Sequence, residues 1–439
     1  MSGPPAVART ALLLLPVQIV LRSGELLFPL LLAAWFGRTD ETDLFFLLWA
    51  YFTFAGALLS SGFHDSALMP VLIELDRREP SLFPAVAGSV LGHLLVFGPV
   101  LAAALGGAAI AAAWLFVEGP KLGLAVALVL LFSCFLVALT LRTFLVGLLN
   151  VRSWYFAYPV SSGLGILVCL IFVALARFRL GILAVPTGML LGELLAAALL
   201  AGLALGPAAI RLRLSLARPE PVRRLAGLLG SEVAGTTVTR INPFIDQVFA
   251  GFVSIVGGGT LLRYATDVAS VPNSLAQATV LTVLLSHLSH SVADRSLERF
   301  EQTLRRSLLT VCALLTVASL ALFWLRVPLL RLAFLHGSMD ASGVERMAAI
   351  LPWALVGVPP FGALLILARA HVALQNSRIM VSMGLLNAGL NVLLNALLVG
   401  PLGLAGIALS TSLVHLVVAV VFWVRLQTKL SDDRSGRQS

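Results

Sequence analysis

Several ionisable side chains interrupt stretches of the chain that are otherwise Leu, Val, Ala and Phe. Arg22 and Glu25, three residues apart, lie in the apolar run 8–36, and His64 and Asp65 fall near the end of the next run. Glu193 lies in 181–206, and Glu232, Arg240 and Asp246 in 225–256. Arg263 and Asp267, four apart, lie in 259–289. A charge facing hydrocarbon costs about 2.5–3.5 kcal/mol on the insertion scale, so charges kept there face an interior with a partner or a task. Arg22, Arg240 and Arg263, with the acids beside them, are candidates to line one polar cavity between the two halves. Glu25, Glu232, Asp246 and Asp267 would balance these charges or couple to a monovalent cation. The same spacing also allows a plainer reading, in which Arg22–Glu25 and Arg263–Asp267 are intrahelical ion pairs.

Other chemistries lack their residues. No Ser/His/Asp set, Walker loop or dinucleotide fingerprint stands in a suitable context. The histidines are scattered, and Cys134, Cys169 and Cys312 lie singly in separate apolar segments, the pattern of small buried hydrophobes. The expectation is a protein that is not an enzyme, with no catalytic residue, no metal and no cofactor.

The elements that must position these groups follow from composition. The chain has 439 residues, 59% hydrophobic and 12% charged, with a mean hydropathy of +0.99. Soluble domains are about a quarter charged, and so little polar surface cannot cover so much apolar surface in water. Apolar runs broken by charge, Gly and Pro mark twelve spans: 8–36, 43–72, 84–116, 122–148, 154–176, 181–206, 225–256, 259–289, 306–325, 346–369, 379–399 and 402–425. The fold class is therefore an all-α polytopic membrane protein. The basic stretch 291–306 carries Val292, Leu297, Phe300 and Leu304 among its charges, which predicts an interfacial helix.

The net charge of +9 is explained by loops at a membrane face, and nucleic acid is not an expected partner. Twenty cations fall in the N-terminus, the even-numbered connections and the tail, Arg142 among them, against eight in the odd-numbered connections. That bias puts both termini in the cytoplasm. The halves also resemble each other: Asn150-Val-Arg152 and Asn376-Ser-Arg378 each open a pair of spans. The expected domains are a six-helix bundle over 1–210, a basic cytoplasmic linker over 211–224, a second six-helix bundle over 225–426 and a hydrophilic tail over 427–439. Parallel repeats of this kind suit a transporter with its site between two bundles. The ionisable groups concentrate on spans 1, 2, 7 and 8, whereas spans 3–5 and 9–12 read as much cleaner.

Motifs in this order resemble the MurJ/MviN family of lipid II flippases, within the MOP exporter superfamily. Phe36-Gly-Arg-Thr-Asp-Glu-Thr-Asp-Leu-Phe-Phe46 is similar to the family's FG…TDAFF, and Ser61-Gly-Phe-His-Asp-Ser-Ala-Leu-Met-Pro-Val-Leu72 to EGAFSxAFVPVL. Arg263-Tyr-Ala-Thr-Asp267, Val271-Pro272 and Leu285-Ser-His-Leu-Ser289 resemble YADRL…P…LPxLS. Phe334-Leu-His-Gly-Ser-Met-Asp340 resembles LFxxGxFD, and Leu365-Ile-Leu-Ala-Arg-Ala-His-Val-Ala373 resembles VLARAFYA. The resemblance implies a MOP/MATE-like fold of two six-helix bundles in the bacterial inner membrane and a lipid-linked saccharide as substrate. It aligns Arg22 with a cavity arginine of the family and Asp43 with its acidic residue, adding Asp43 to the cavity acids. Phe28, Gly56 and Asp267 stand where the family has other functional arginines, and Ser61 where it has a glutamate. The family's last two spans, which form a groove for the lipid tail, have no counterpart in this sequence. The reading that the resemblance implies is a flippase for polyprenyl-diphosphate-linked saccharides, lipid II or a related envelope precursor, working by alternating access. Arg22, Arg240 and Arg263, whose guanidinium forks can hold phosphate oxygens bidentately, are then candidate ligands for the diphosphate, at least two of them within roughly 10–12 Å of each other. An ion-coupled multidrug exporter of the same superfamily and a non-transporting scaffold are the rivals. Retained cavity arginines argue against the first, and retained cavity charge against the second.

Overall fold

Inside a bilayer a chain this apolar satisfies its backbone polar groups by coiling into helices or closing a barrel. The computed structural model describes residues 27–62, 68–117, 119, 121–225, 241–277, 297–374 and 378–435. Among these residues all regular structure is helical. A first helix, α1 (Leu27–Phe36), leads to α2 (Asp40–Gly62), α3 (Met69–Arg78), α4 (Phe83–Phe116), α5 (Lys121–Val151), α6 (Ala157–Leu180) and α7 (Ala184–Leu205). Then follow α8 (Asn242–Ala250), α9 (Gly258–Ala276), α10 (Leu297–Phe334), α11 (Ala341–Leu355), α12 (Val358–Ala373), α13 (Arg378–Leu402) and α14 (Leu404–Ser435). The stretches α4, α5, α6–α7, α10, α13 and α14 are each long and apolar enough to cross a membrane. The pair α11–α12 also passes as one span, bent by 41°. This is a multi-pass membrane protein.

Local sequence explains the breaks. A short turn at Gly181–Leu183 folds α7 back along α6. The bend between α11 and α12 falls just before Pro359 and Pro360, whose missing N–H groups cannot continue the ladder of α11. In α10, no Gly or Pro occurs from Leu297 to Val327, so nothing stops the helix. Its 38 residues rise about 57 Å, almost twice the hydrocarbon thickness.

Three expectations change here. The described part of the interfacial helix, 297–306, is not separate but the start of α10, with Phe300 and Leu304 buried one turn apart. The tail is helical through Ser435: Leu426 and Leu430 are buried, and Lys429 Nζ donates to the Leu374 carbonyl at 3.0 Å. Arg142, taken for a loop cation, sits nine residues inside α5.

By packing, the chain divides into two compact units. The first contains the described residues 27–36 and 47–225, and the second 37–46 and 241–435. The division differs from a split at the basic linker. The start of α2 packs with the second unit, and residues 211–225 pack with the first. In the first unit Leu72, Phe83, Phe144, Leu148 and Leu200 form a core that Ile210, Val222 and Leu225 complete. In the second unit α14 packs against α11, α12 and α13, while α9 packs against α11.

Candidate functional site

The densest polar cluster lies in the second unit. Residues one turn apart share a helix face, so α8 presents Asn242 and Asp246 together, and α13 presents Asn387, Asn391 and Asn395. Asn387 Nδ2 donates to Asn242 Oδ1 at 2.9 Å. Asn391 and Asn395 donate through Nδ2 to Asp246 Oδ1 at 3.0 and 2.9 Å. The Thr411 hydroxyl of α14 donates to Asp246 Oδ2 at 2.8 Å. All three asparagines of α13 are buried, and Asn395 Oδ1 has no partner. Among the described residues no ion pair reaches Asp246. A carboxylate held only by neutral donors has no counter-charge beside it. Turning the amides would aim their Oδ1 atoms inward and complete a set of hard oxygen ligands.

Sequence reasoning found Asp246 and missed its partners. A search for charge passes over asparagine, and the region had read as clean. The signal was Asn387, Asn391 and Asn395 at four-residue intervals in an apolar helix.

Arg263 and Asp267 lie on one face of α9, and Arg263 Nε donates to Asp267 Oδ2 at 3.0 Å. Their side chains are 31% and 27% exposed, so the pair remains reachable. Beneath it Tyr264 is fully buried and meets Phe46 and Phe334 at ring distances of 5.4 and 5.5 Å. Arg22, Glu25, Glu232 and Arg240 lie outside the described residues, as do His64 and Asp65.

Asp43 finds a different neighbour. Its Oδ1 accepts from the backbone N–H and the hydroxyl of Thr260, each at 2.7 Å. Thr260 is in the first turn of α9, where N–H groups have no helical partner and a negative charge is favourable. Gln247 Nε2 ties α8 to the same turn through the Gly259 carbonyl at 3.1 Å. Beside it Arg38 clasps Asp340 with two hydrogen bonds of 2.7 and 3.0 Å, and also donates to the Ser342 hydroxyl at 2.8 Å and the Val256 carbonyl at 3.0 Å. Such close approach needs Gly37 and Gly257, both at positive φ; a Cβ on Gly257 would lie 2.5 Å from that of Arg38. Asp340 also caps α11, accepting from Gly343 N–H at 3.2 Å. Hydrogen bonds from Arg38 and Ser342 hold the Asp340 carboxyl well below the usual carboxylate range, and the pairing raises Arg38. The stretches 36–46 and 334–340, two of those that carried the resemblance, are tied to the start of α9 in one junction, and a third, 263–267, joins them through Tyr264.

In the first unit, Arg142 of α5 forms an ion pair with Glu193 of α7, with side chains only 10% and 18% exposed. Its guanidinium stands 5.4 Å from the Tyr158 ring centroid, and Nη1 has no partner. Glu193 was seen in the sequence, but Arg142, placed in a loop, was not seen as its partner.

Against known proteins, a curated lipid II flippase of Burkholderia cenocepacia is 25% identical over 398 residues, covering 87% of this chain and 76% of the relative. A probable lipid II flippase of Vibrio cholerae is 27% identical over 192 residues, which is 44% of this chain and 36% of that protein. Among solved structures, a lipid II flippase in an inward closed conformation matches with a TM-score of 0.80 at 19% identity, covering 95% of this chain and 87% of the other. An inward-facing MATE multidrug transporter of the MOP superfamily matches at 0.74 with 14% identity, over 90% and 91% of the two chains. The fold is thus that of MurJ and MATE transporters. The model of the lipid II flippase MurJ family matches residues 32–436, nearly the whole length, and the chain belongs to that family of transporters.

Proposed function

We propose that this protein is a flippase of the bacterial inner membrane that carries polyprenyl-diphosphate-linked saccharides, lipid II or a close relative, by alternating access. The observation that carries the reading is the family match over residues 32–436. Arg22, Arg240 and Arg263 are the proposed ligands of the diphosphate, with Glu25 and Glu232 balancing them in the empty state. Arg263 supports this, being partly exposed and, among the described residues, paired with one acid, Asp267, that cargo can displace. Asp43 serves the junction at α9. Asp246, with Asn391, Asn395 and Thr411, is the proposed site of a coupling monovalent cation. Moving one charge down the membrane potential yields about 2.3 kcal/mol per 100 mV, enough to bias a conformational cycle.

The cation bias of the loops orients both termini to the cytoplasm, and removing Arg142 from the loops leaves nineteen against eight. The test is complementation. Cells depleted of their own lipid II flippase and expressing this chain should recover growth and clear the accumulated precursor. Resistance to toxic cations with the precursor still accumulating would overturn the reading in favour of drug export.

A further inference from the structure

Residues 211–218 form no helix, yet they are fixed in place. Arg213 N–H donates to the Pro84 carbonyl at 3.0 Å, and the Ser89 hydroxyl donates to the Ala217 carbonyl. A Cβ on Gly88 or on Gly92 would collide with the carbonyls of Arg213 and Ser215. These two glycines, one turn apart on α4, leave a smooth track on which a strap of backbone lies. Ile210, Val222 and Leu225 anchor its flanks in the core, and Arg224 reaches Glu74 at 3.2 Å.

The strap holds outward what a soluble surface would avoid. Leu214 and Leu216 are 64% and 57% exposed. Arg211, Arg213 and Arg218 are exposed, and no ion pair reaches them among the described residues. Leucines beside unpaired arginines are the composition of a segment resting on an anionic bilayer surface. Its level along α4 agrees. That helix has 34 residues and rises about 51 Å, some 20 Å more than the hydrocarbon core, and the basic end of α3 at Arg77 and Arg78 just before it assigns the headgroup zone to its first turns. Just beyond the strap, exposed Leu95, Val96 and Phe97 begin the lipid-facing wall.

We propose that the strap Arg211–Arg218 is a docking site for anionic phospholipids of the cytoplasmic leaflet. Arg211, Arg213 and Arg218 engage lipid phosphates while Leu214 and Leu216 enter the acyl boundary. Because the backbone is already clamped, binding does not bear the cost of ordering a loop. The inference rests on the cytoplasmic placement of the even-numbered connections proposed above.

The test counts lipids retained by the full-length protein from micelles of mixed phosphatidylglycerol and phosphatidylcholine, read by native mass spectrometry without cargo. The wild type should retain phosphatidylglycerol preferentially. The triple variant Arg211→Gln, Arg213→Gln, Arg218→Gln should lose about tenfold or more in apparent affinity for it, as expected when several cations leave an anionic surface. The corresponding triple lysine variant should keep most of the preference. Equal retention of both lipids by the wild type, or an undiminished preference in the glutamine variant, overturns the proposal. If the triple variant does not fold, Arg213→Gln alone with a salt titration decides: a wild-type preference insensitive to salt overturns it. A cysteine placed by Arg218→Cys, in a background without Cys134, Cys169 and Cys312, should react with an impermeant maleimide only from the cytoplasmic side. Labelling from the opposite side alone overturns both topology and docking. Cytoplasmic labelling without lipid preference overturns docking and leaves the flippase reading standing.

Discussion

Asp246 allows charge and hydrogen bonding to be separated by two substitutions. Asp246→Ala removes the acceptor for Asn391, Asn395 and Thr411 at once. Each buried donor left unsatisfied costs about 1–3 kcal/mol. Some of the amides can turn towards one another, so the net loss should be about 3–5 kcal/mol, the size seen when a buried polar network loses its central member. Asp246→Asn keeps the volume and keeps Oδ1 as acceptor for both asparagines, while the Thr411 hydroxyl rotates to another partner. That variant should lose less than about 1 kcal/mol. It nevertheless removes the only formal charge among the described residues of the cluster, and with it the attraction for a cation. A cation present at a hundred times its dissociation constant stabilises the folded state by about 2.7 kcal/mol. The assay is thermal unfolding of detergent-solubilised protein in sodium, potassium or choline chloride at equal ionic strength, read as loss of the monodisperse peak. The wild type should melt higher in one of the alkali salts than in choline. Asp246→Asn should fold normally and show no such difference, and Asp246→Ala should melt low in every salt. A full sodium response in Asp246→Asn, or a wild type indifferent to both alkali cations, would refute the cation site.

Arg263→Ala should reduce clearance of accumulated lipid II in complemented cells at least about tenfold, and Arg263→Lys should recover only part, because a point charge lacks the planar fork. Asp267→Asn, which frees the guanidinium, should be tolerated far better; equal losses for both positions would make the pair merely structural. Glu193→Ala leaves Arg142 buried and unpaired, and should cost about 3–5 kcal/mol in a melting experiment. The double variant Arg142→Met, Glu193→Leu should return close to the wild type, and an unchanged melting point for Glu193→Ala alone would contradict the buried pair. Asp340→Ala removes a helix cap and an ion pair, about 1–2 kcal/mol in total after allowing for exposure. Since the Asp340 carboxyl is held below its ordinary range, its contribution is complete above about pH 4 and fades as pH falls towards the folded value. The melting difference from the wild type should therefore stay constant from pH 8 to 5 and narrow only in stronger acid; a difference that grows with acidity would reverse the sign.

The helical architecture was legible because hydrophobic runs and bilayer thickness leave few alternatives. The boundaries were less so wherever charge and helix disagree. Arg142 follows an apolar run, as a loop cation does, yet α5 continues nine residues past it because Glu193 on α7 supplies the opposite charge. In the same way, Arg305 and Arg306 mark where hydrocarbon ends and not where α10 begins. Charge in a sequence reports depth in the membrane, whereas a helix stops only where its backbone is prevented from continuing.

The candidate site divides along a similar line. Asp43, Arg38 and Asp340 lie in motifs that carry the family resemblance, and the structure uses all three to join helix ends. Asp43 satisfies the first turn of α9, and Arg38 bridges Asp340, Ser342 and the Val256 carbonyl. Such junctions demand specific residues at fixed intervals, glycines at positive φ and acids at helix N-termini, and that demand makes them recognisable in sequence. The polar partners of Asp246 obey a looser rule. Asparagine and threonine at helical spacing are neutral and cheap enough to bury when they bond to each other, so they leave no mark in composition or charge. A motif can therefore identify the scaffold while the residues most suited to hold an ion lie on helices that look featureless. The asparagine ladder of α13 is best sought in other sequences by its four-residue period opposite an acid on α8.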